Sequence, residues 1–308
     1  MRLIRAIRLV ALLASIALVL PGLLKAQSVV TGGATGTVTD PSGAVIVGAQ
    51  VTLKSVATGE AQTTTTNSTG IFQFSLLKPG DYALTVGHVG FMTGTAEIHV
   101  LLGQITPSNV TLQVGSSTTT VEVKEQGSLL QTEDANITSN FDTQQIQNVP
   151  NPGGDLSYIA QTAPGVTINS TGSGYGNFSA FGLPGTANLF TINGNDDNDA
   201  FLNLNNSGAS NLLLGSNELQ EVAVVSNAYT GQYGRQAGAQ VDYSTLSGGN
   251  AFHGDAVYDW NGRALNAEDY FLKAGGAPRP FVNNNQWAAA IGGPIKKDKA
   301  FFFVNTEG

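Results

Sequence analysis

The chain has 308 residues, with 14 Lys and Arg, 22 Asp and Glu, and no cysteine. The acidic excess argues against a nucleic-acid-binding protein, which needs a basic surface, and the lack of cysteine excludes disulfides and thiolate metal sites. Only 12% of the residues are charged and 38 are glycine, a composition that favours many short strands joined by turns. The length predicts two domains or more.

Residues 1–26 are predicted to form a secretory signal peptide. Three arginines precede an apolar run from Leu9 to Leu24, and Pro21-Gly22 would end a helix near its close. The alternative is a transmembrane anchor, but comfortable spanning needs about 20 apolar residues. We therefore expect export, with cleavage after Ala26. The predicted leader holds four of the basic residues and no acid, so the remaining chain has 10 Lys and Arg against 22 Asp and Glu.

Residues 29–114 are predicted to form a small β-sandwich. About seven short segments alternate apolar and polar residues, as at Tyr82, Leu84 and Val86, and turn sequences such as Asp40-Pro41-Ser42-Gly43 separate them. The segments "GTVTDPSGAVIVGAQVTL" and "TTTTNSTGIFQFSLLKPGDYALTVGHVGF" resemble the carboxypeptidase regulatory-like domain, a transthyretin-like sandwich. That resemblance implies no peptidase chemistry. His88 and His99 lie in neither an H-x-x-E nor an H-E-x-x-H pattern, so we expect strand-face or edge histidines rather than zinc ligands.

Residues 115–127 form a Gly/Ser/Thr-rich bridge that contains the β-prone stretch "TTTVEVKE", residues 118–125. The stretch is consistent with an ordinary linker or a terminal sandwich strand. Alternatively, it is a segment held available to pair with the sheet edge of a partner, where backbone hydrogen bonds supply the affinity.

Residues 128–248 are predicted to be an α+β region. Helices are predicted over Asp142–Val149 and Asp155–Gln161, and strands over Leu189–Asn193 and Leu219–Val225. The glycine-rich stretch between them lacks the G-x-G-x-x-G of a dinucleotide site. "NGNDDND", residues 193–199, lacks the central glycine and distal glutamate of a calcium loop, so a solvated acidic loop is expected there.

Residues 249–308 have the dyad pattern of transmembrane β-strands. In "AFHGDAVYDWNG" the residues from Phe252 to Trp260 at even numbers form an apolar face, and those at odd numbers a mostly polar one. Trp287, Ala289 and Ile291 continue the pattern in a second strand. A long polar stretch and then a short turn at Pro294–Lys299 fit outer-membrane barrels, although a soluble meander of hairpins is the alternative.

The regions together resemble the N-terminal part of a TonB-dependent outer-membrane receptor of the Oar-like type. The resemblance rests on a series of segments in order, above all "LQEVAVVSNAYTGQYGRQAGAQVDYSTLSGGNAFHGDAVYDW" and "NNNQWAAAIGGPIKKDKAFFFVNTEG". It implies a mainly β protein: a transthyretin-like sandwich, an α+β plug domain and the first strands of an incomplete transmembrane β-barrel. Since three strands cannot close a barrel and the smallest types use about eight, we expect further strands beyond Gly308.

The resemblance also implies a function, active uptake through the cell outer membrane, with the sandwich and the linker on the periplasmic side. The implied partners are the energy-transducing TonB protein, outer-membrane lipid and an imported substrate, which is an iron chelate, an oligosaccharide or a peptide. TonB would engage a segment ahead of the plug, and the candidate for this TonB box comprises Thr119, Thr120, Val121, Glu122, Val123, Lys124 and Glu125.

No cofactor, metal site or catalytic residue is expected. The sequence has no G-x-S-x-G nucleophile elbow, and its three scattered histidines offer no evident Ser-His-acid set. The competing function is a secreted or surface-bound β-sandwich that binds carbohydrate and has no transport role. The amphipathic strands at 252–261 and 285–292 favour the membrane barrel over this module.

Overall fold

The computed structural model describes residues 31–115, 120–122, 136–149, 156–168, 178–205, 215, 217–228, 233–234 and 236–308. The predicted leader, residues 1–26, lies outside the described residues, as do Thr119 and residues 123–125 of the candidate TonB box. The described part is mainly β and contains a sandwich, an α+β plug and a sheet of three long strands, as the sequence predicts.

The sandwich consists of two sheets. Its strands are β1 (Gly32–Thr39), β2 (Gln50–Ser55), β3 (Ala61–Thr65), β4 (Ile71–Leu77), β5 (Gly80–Gly87), β6 (Thr93–Val100), β7 (Ile105–Pro107), β8 (Val110–Thr111) and β9 (Thr120–Glu122). One sheet has the order β4-β1-β7, with β8 also paired to β1, and the other has the order β3-β2-β5-β6-β9.

Alternation of apolar residues builds the sandwich core. Val51, Leu53, Leu84 and Val86 from the second sheet are at most 1% exposed, and so is Phe72 from the first. Because successive side chains of a strand point to opposite faces, every second residue enters the core. The prediction of a small β-sandwich built from half-buried strands is confirmed.

The Asp-Pro-Ser-Gly turn after β1 is held by its first side chain. Oδ1 of Asp40 accepts hydrogen bonds from the N–H of Ser42 at 2.8 Å and from the N–H of Ala44 at 3.0 Å. Gly43 closes the turn with a φ of 85°, a conformation that favours glycine. The Ser42 hydroxyl also donates to Asp40, and these bonds hold the pKa of the carboxyl below its usual range.

The plug is built on a five-stranded sheet of order β10-β15-β16-β13-β14, with β11 and β12 in a separate hairpin. Its strands are β10 (Thr138–Asp142), β11 (Val166–Ile168), β12 (Phe178–Ala180), β13 (Leu189–Ile192), β14 (Asn195–Asp196), β15 (Leu219–Val225) and β16 (Gln240–Thr245). Strands β13 and β16 are parallel, and the other neighbours in this sheet are antiparallel. The predicted strands thus appear as β13 and β15.

Helix α1 (Thr143–Asn148) begins at a capping box. The Asp142 side chain accepts from the N–H of Gln145, whose own side chain accepts from the N–H of Asp142, so both backbone donors are satisfied. The second predicted helix is instead a 3₁₀ helix, Leu156–Thr162. Its turn repeats every three residues, which places Leu156 and Ile159 on one side, and both are buried in the plug core. A shorter 3₁₀ helix covers Gly185–Ala187.

The "NGNDDND" stretch departs from the expected solvated loop at its last residue. Asp199 is only 9% exposed. Its carboxylate accepts the N–H groups of Phe201, Leu202 and Leu204, at 2.9, 2.8 and 3.2 Å. These bonds, led by that from Leu202, lower the pKa of Asp199. The carboxylate therefore stabilises a local turn, and this use of its oxygens explains why the residue is not left in solvent.

The last region is an antiparallel meander of β17 (His253–Gly262), β18 (Asn283–Lys296) and β19 (Ala300–Glu307). The connection between β17 and β18 contains the short helix α2 (Tyr270–Ala274). Among the described helices, none has the length and apolar character needed to cross a membrane.

Candidate functional site

The candidate TonB box contains the edge strand of the sandwich. Its residues Thr120–Glu122 form β9, which pairs in parallel with β6, so that Thr120 lies beside Thr93 and Val121 beside Gly94. Strand β9 is the last strand of its sheet, and its outer edge pairs with no other strand of the described residues. These three residues are therefore extended and present one backbone edge, the form in which strands are added to a sheet.

The sandwich is joined to the plug by a buried carboxylate. Glu221, in β15, is 3% exposed. Its two oxygens accept the N–H of Leu102, in the loop after β6, at 3.0 and 3.1 Å. Burial raises the pKa of Glu221, and hydrogen bonds from Asn140 and Leu102 counteract this effect.

Asn140, in β10, completes this junction. Its Nδ2 donates to the carbonyl of Leu102 at 3.0 Å and to Oε1 of Glu221 at 2.5 Å. Its Oδ1 accepts from Nε2 of Gln104 at 2.5 Å. Both backbone polar groups of Leu102 are thus paired with plug side chains, which fixes the loop in one position.

A second contact joins the same two domains. Nε2 of Gln220 donates to the carbonyl of Pro79 at 2.7 Å. Pro79 lies before β5, whereas Leu102 lies after β6, so two loops of the sandwich are attached to neighbouring residues of one plug strand. The sandwich is therefore hydrogen-bonded to β15 at two places.

The three-stranded meander has one apolar and one polar face. The register places Tyr258 opposite Trp287, and Ile291 opposite Val304. These four side chains belong to the apolar face, where they are between 46% and 64% exposed. The polar face carries His253, Asp255, Asp259, Asn305 and Glu307. The predicted dyad pattern is confirmed, and an exposed apolar face beside a polar one is typical of strands that separate lipid from a polar interior.

The polar face is the side that contacts the plug. Nδ2 of Asn305, in β19, donates to Oε2 of Glu218, just before β15, at 2.8 Å. Ala290, in the middle of β18 on the same face, is only 7% exposed. The plug therefore lies against the polar interior of the sheet.

The "SGGN" sequence before β17 contacts both the sandwich and the meander. The N–H of Asn250 donates to the carbonyl of Ala57, in the sandwich, at 2.7 Å. The Asn250 side chain exchanges two hydrogen bonds of 2.8 Å with Asp298, in the turn between β18 and β19. At Gly248 a Cβ would lie 2.2 Å from the carbonyl oxygen of Phe302, so only glycine allows this close approach.

The three histidines each contact a different partner. Nδ1 of His99 is 2.6 Å from Oδ1 of Asp81, and both side chains are largely exposed. His88 contacts the carbonyl of Val89, and His253 that of Ala251. Within the described ranges, no group of three or more His, Asp and Glu residues could hold a metal ion.

Sequence reasoning missed the junction residues Glu221 and Asn140. The available signal was a glutamate inside the otherwise apolar strand "LQEVAVV", since an acid is seldom fully buried without a partner. Asp242 gives the same signal in the next strand, "QVDYST". It is 1% exposed, and its Oδ1 accepts from Nε2 of Gln240 at 2.8 Å and from the Thr191 hydroxyl.

Three family models match the chain. The carboxypeptidase regulatory-like domain matches residues 33–113, the TonB-dependent receptor plug domain matches residues 131–241, and an outer-membrane β-barrel domain matches residues 244–308. A curated relative is the TonB-dependent transporter Oar of Myxococcus xanthus, which is 26% identical over 256 residues. The alignment covers 79% of this chain and 23% of Oar.

Solved structures with partial likeness include the siderophore receptor PirA of Acinetobacter baumannii, at 15% identity and a TM-score of 0.42. The match covers 56% of this chain and 24% of PirA. Another is a G324V mutant of the ferric enterobactin receptor PfeA of Pseudomonas aeruginosa, at 19% identity and a TM-score of 0.41. This match also covers 56% of this chain and 24% of the receptor.

A regulatory-like sandwich, a plug and outer-membrane barrel strands, in this order, define a plugged receptor of the cell outer membrane. The plug fits this class because it contacts the polar face of the barrel strands and leaves the apolar face exposed. The chain carries the plug and outer-membrane β-barrel domains of a TonB-dependent receptor behind a carboxypeptidase regulatory-like domain, and it is similar to the transporter Oar. It spans about a quarter of the length of the relatives that it matches.

Proposed function

We propose that the protein is a transporter that takes up its substrate actively across the outer membrane. The observation that carries the proposal is the bond between Glu218 of the plug and Asn305 on the polar face of the barrel strands. A plug attached there would block the lumen of a barrel, and passage would require it to move. The role is transport and reception, without catalysis.

We propose residues 119–125 as the segment that engages TonB. The described part of it, Thr120–Glu122, is already extended and lies at a sheet edge, which suits strand addition by a partner. Force applied to this segment would reach the plug through few contacts. Strand β9 pairs with β6, and the loop after β6 is bonded to Glu221 through Leu102.

The sandwich and the linker are proposed to lie on the periplasmic side. In outer-membrane barrels the short turns face the periplasm. The short turn between β18 and β19 contains Asp298, which bonds to Asn250, and Asn250 in turn bonds to Ala57 of the sandwich. The sandwich therefore lies at the short-turn end of the strands.

The proposed substrate is an iron chelate, an oligosaccharide or a peptide. The alternative of a secreted carbohydrate-binding sandwich does not account for the exposed apolar face of β17, β18 and β19. Tyr258 on this face is 64% exposed and Trp287 is 46% exposed, and a surface of this kind needs lipid or another apolar cover.

Binding of the soluble periplasmic domain of TonB to the purified protein tests the proposal. Val121→Pro should abolish binding, because proline removes a backbone donor of the paired strand. Val121→Thr is the matched control and should bind like the parent, since backbone bonds dominate strand addition. Undiminished binding by Val121→Pro would place the TonB contact elsewhere, and loss in both variants would show that side-chain recognition is the main term.

A further inference from the structure

Four oxygen-bearing side chains converge where the plug meets the barrel wall. Asn217 and Glu218 immediately precede plug strand β15, and Asn305 and Glu307 come from the polar face of β19. They surround the backbone of Gly215. The function proposed above uses only the Glu218–Asn305 bond. The four side chains together, termed here the plug–wall cluster, therefore need a separate explanation.

The cluster surrounds Gly215, which has no side chain to fill the space between the four residues. A Cβ at this position would lie 2.5 Å from Oε2 of Glu307 and 2.6 Å from Oδ1 of Asn217, so the two oxygens face the same small space from two domains. The N–H of Gly215 donates to Oε1 of Glu218 at 2.8 Å, and Nδ2 of Asn305 donates to Oε2 of Glu218 at 2.8 Å. The orientation of Glu218 is thereby fixed.

The buried amide of Asn217 points into this space without a partner. Asn217 is 1% exposed, yet among the described residues neither its Oδ1 nor its Nδ2 has a hydrogen-bond partner, and neither does Oδ1 of Asn305. Buried polar atoms are nearly always satisfied in native proteins. An unpaired buried amide beside two carboxylates is therefore evidence for a ligand.

The charge of the cluster supports the same conclusion. Glu218 and Glu307 carry like charges on facing elements, and within the described ranges the ion pair present is that of His99 with Asp81. No Lys or Arg of those ranges neutralises either glutamate. Two facing carboxylates without a counter-charge repel one another, and a bound cation would remove the repulsion.

We propose that a divalent cation of the calcium type binds the plug–wall cluster and bridges the plug to the barrel wall. All available donors are oxygens, which hard cations prefer, and neither sulfur nor imidazole is present to favour zinc. Calcium accepts carboxylate and amide oxygens together with water in an irregular arrangement, whereas magnesium demands near-octahedral geometry. Glu307 and Asn217 would be direct ligands, with Glu218 and Asn305 beside them.

A cation at this place would join the residues just before β15 to β19. Strand β15 carries Glu221, three residues after Glu218, where the sandwich is attached. The binding itself does not depend on transport. Its consequence, that the cation restrains movement of the plug, rests on the proposed function.

Calcium-dependent thermal unfolding of the purified protein in detergent tests the site. Calcium should raise the unfolding temperature of the parent, and a chelator should reverse the rise. Glu307→Gln should unfold at a higher temperature than the parent in chelator, because the repulsion from Glu218 is gone, and it should lose the response to calcium. Glu268→Gln, the same change of charge in the loop between β17 and β18, should respond like the parent.

A second pair of variants separates ligation from packing. Asn217→Asp keeps the side-chain oxygen and adds a charge, so it should retain the calcium response or increase it. Asn217→Leu removes the oxygen and should abolish the response. The site is refuted if the parent shows no response to calcium, if Glu307→Gln responds like the parent, or if the two Asn217 variants behave alike. Neither TonB nor substrate is present, so these outcomes are independent of the TonB-binding test.

Discussion

Glu221 of the plug holds Leu102 of the sandwich through its backbone. Both carboxylate oxygens accept the same N–H, at 3.0 and 3.1 Å, and both residues are buried. Hydrogen bonds to a charged group contribute more than neutral ones, and a buried carboxylate without them would be strongly unfavourable. The Glu221 side chain thus fixes where the sandwich docks on the plug.

Glu221→Ala is expected to loosen this junction. The change leaves the N–H of Leu102 without its acceptor and removes one of the two acceptors of Asn140 Nδ2, at a cost of ~1.5–3 kcal/mol. The free energy of local opening should fall by this amount, which corresponds to roughly 10- to 100-fold faster exchange of the Leu102 amide. Hydrogen exchange measured by mass spectrometry on a peptide covering residues 99–106 gives the rate.

Two variants serve as references for this measurement. Glu97→Ala, on the exposed face of β6, removes the same side chain from the neighbouring strand and should leave the exchange unchanged. Glu221→Gln keeps one acceptor oxygen and should show intermediate exchange. If Glu221→Ala protected Leu102 as well as the parent does, the sandwich would be held by other contacts and the Glu221 bond would be incidental.

The alternation of residues in the sequence predicts much of this architecture, because strand periodicity directly reports which face is buried. Leu219–Val225 is found as predicted, and the apolar face with Tyr258 and Trp287 follows from the dyad pattern. The junctions were not predictable in this way. The sequence shows that Glu221 is an unusual strand residue, but its partner Leu102 is 119 residues away, and no local pattern reports such a contact. The interpretation of residues 118–125 as a terminal sandwich strand is confirmed for Thr120–Glu122, but the sequence does not specify β6 as the partner of β9.

Asp242 makes the stability of the plug dependent on pH. The residue lies in the middle of the sheet, and its burial raises the pKa of the carboxyl from 3.8 to about 6, against hydrogen bonds from Thr191 and Gln240 that favour the charged form. Because the folded state binds the proton more tightly than the unfolded state, the contribution is fully present below pH 3.8 and is lost as the pH rises through about 6.

Asp242→Asn should therefore stabilise the plug at neutral pH. The amide keeps the acceptor oxygen for Gln240 and Thr191 and supplies the donor that a protonated carboxyl would have. We expect a gain of up to ~3 kcal/mol at pH 7.5 and a flatter dependence between pH 4 and 7. Thermal unfolding across this pH range measures both, with the exposed Asp259→Asn as the control for a change in charge. A parallel pH profile for parent and Asp242→Asn would mean that other groups dominate the titration.

The two faces of β18 differ in what they contact, and neighbouring alanines allow a matched test. Ala289 lies on the apolar face with Tyr258 and Trp287, whereas Ala288 lies on the polar face, opposite Glu307. Arginine on a lipid-facing strand position costs ~2–4 kcal/mol near the bilayer midplane. Ala289→Arg should therefore reduce the amount of folded protein in the outer-membrane fraction, whereas Ala288→Arg should be tolerated, since its charge faces a carboxylate. Equal losses for the two variants, or a larger loss for Ala288→Arg, would contradict the assignment of the apolar face to lipid.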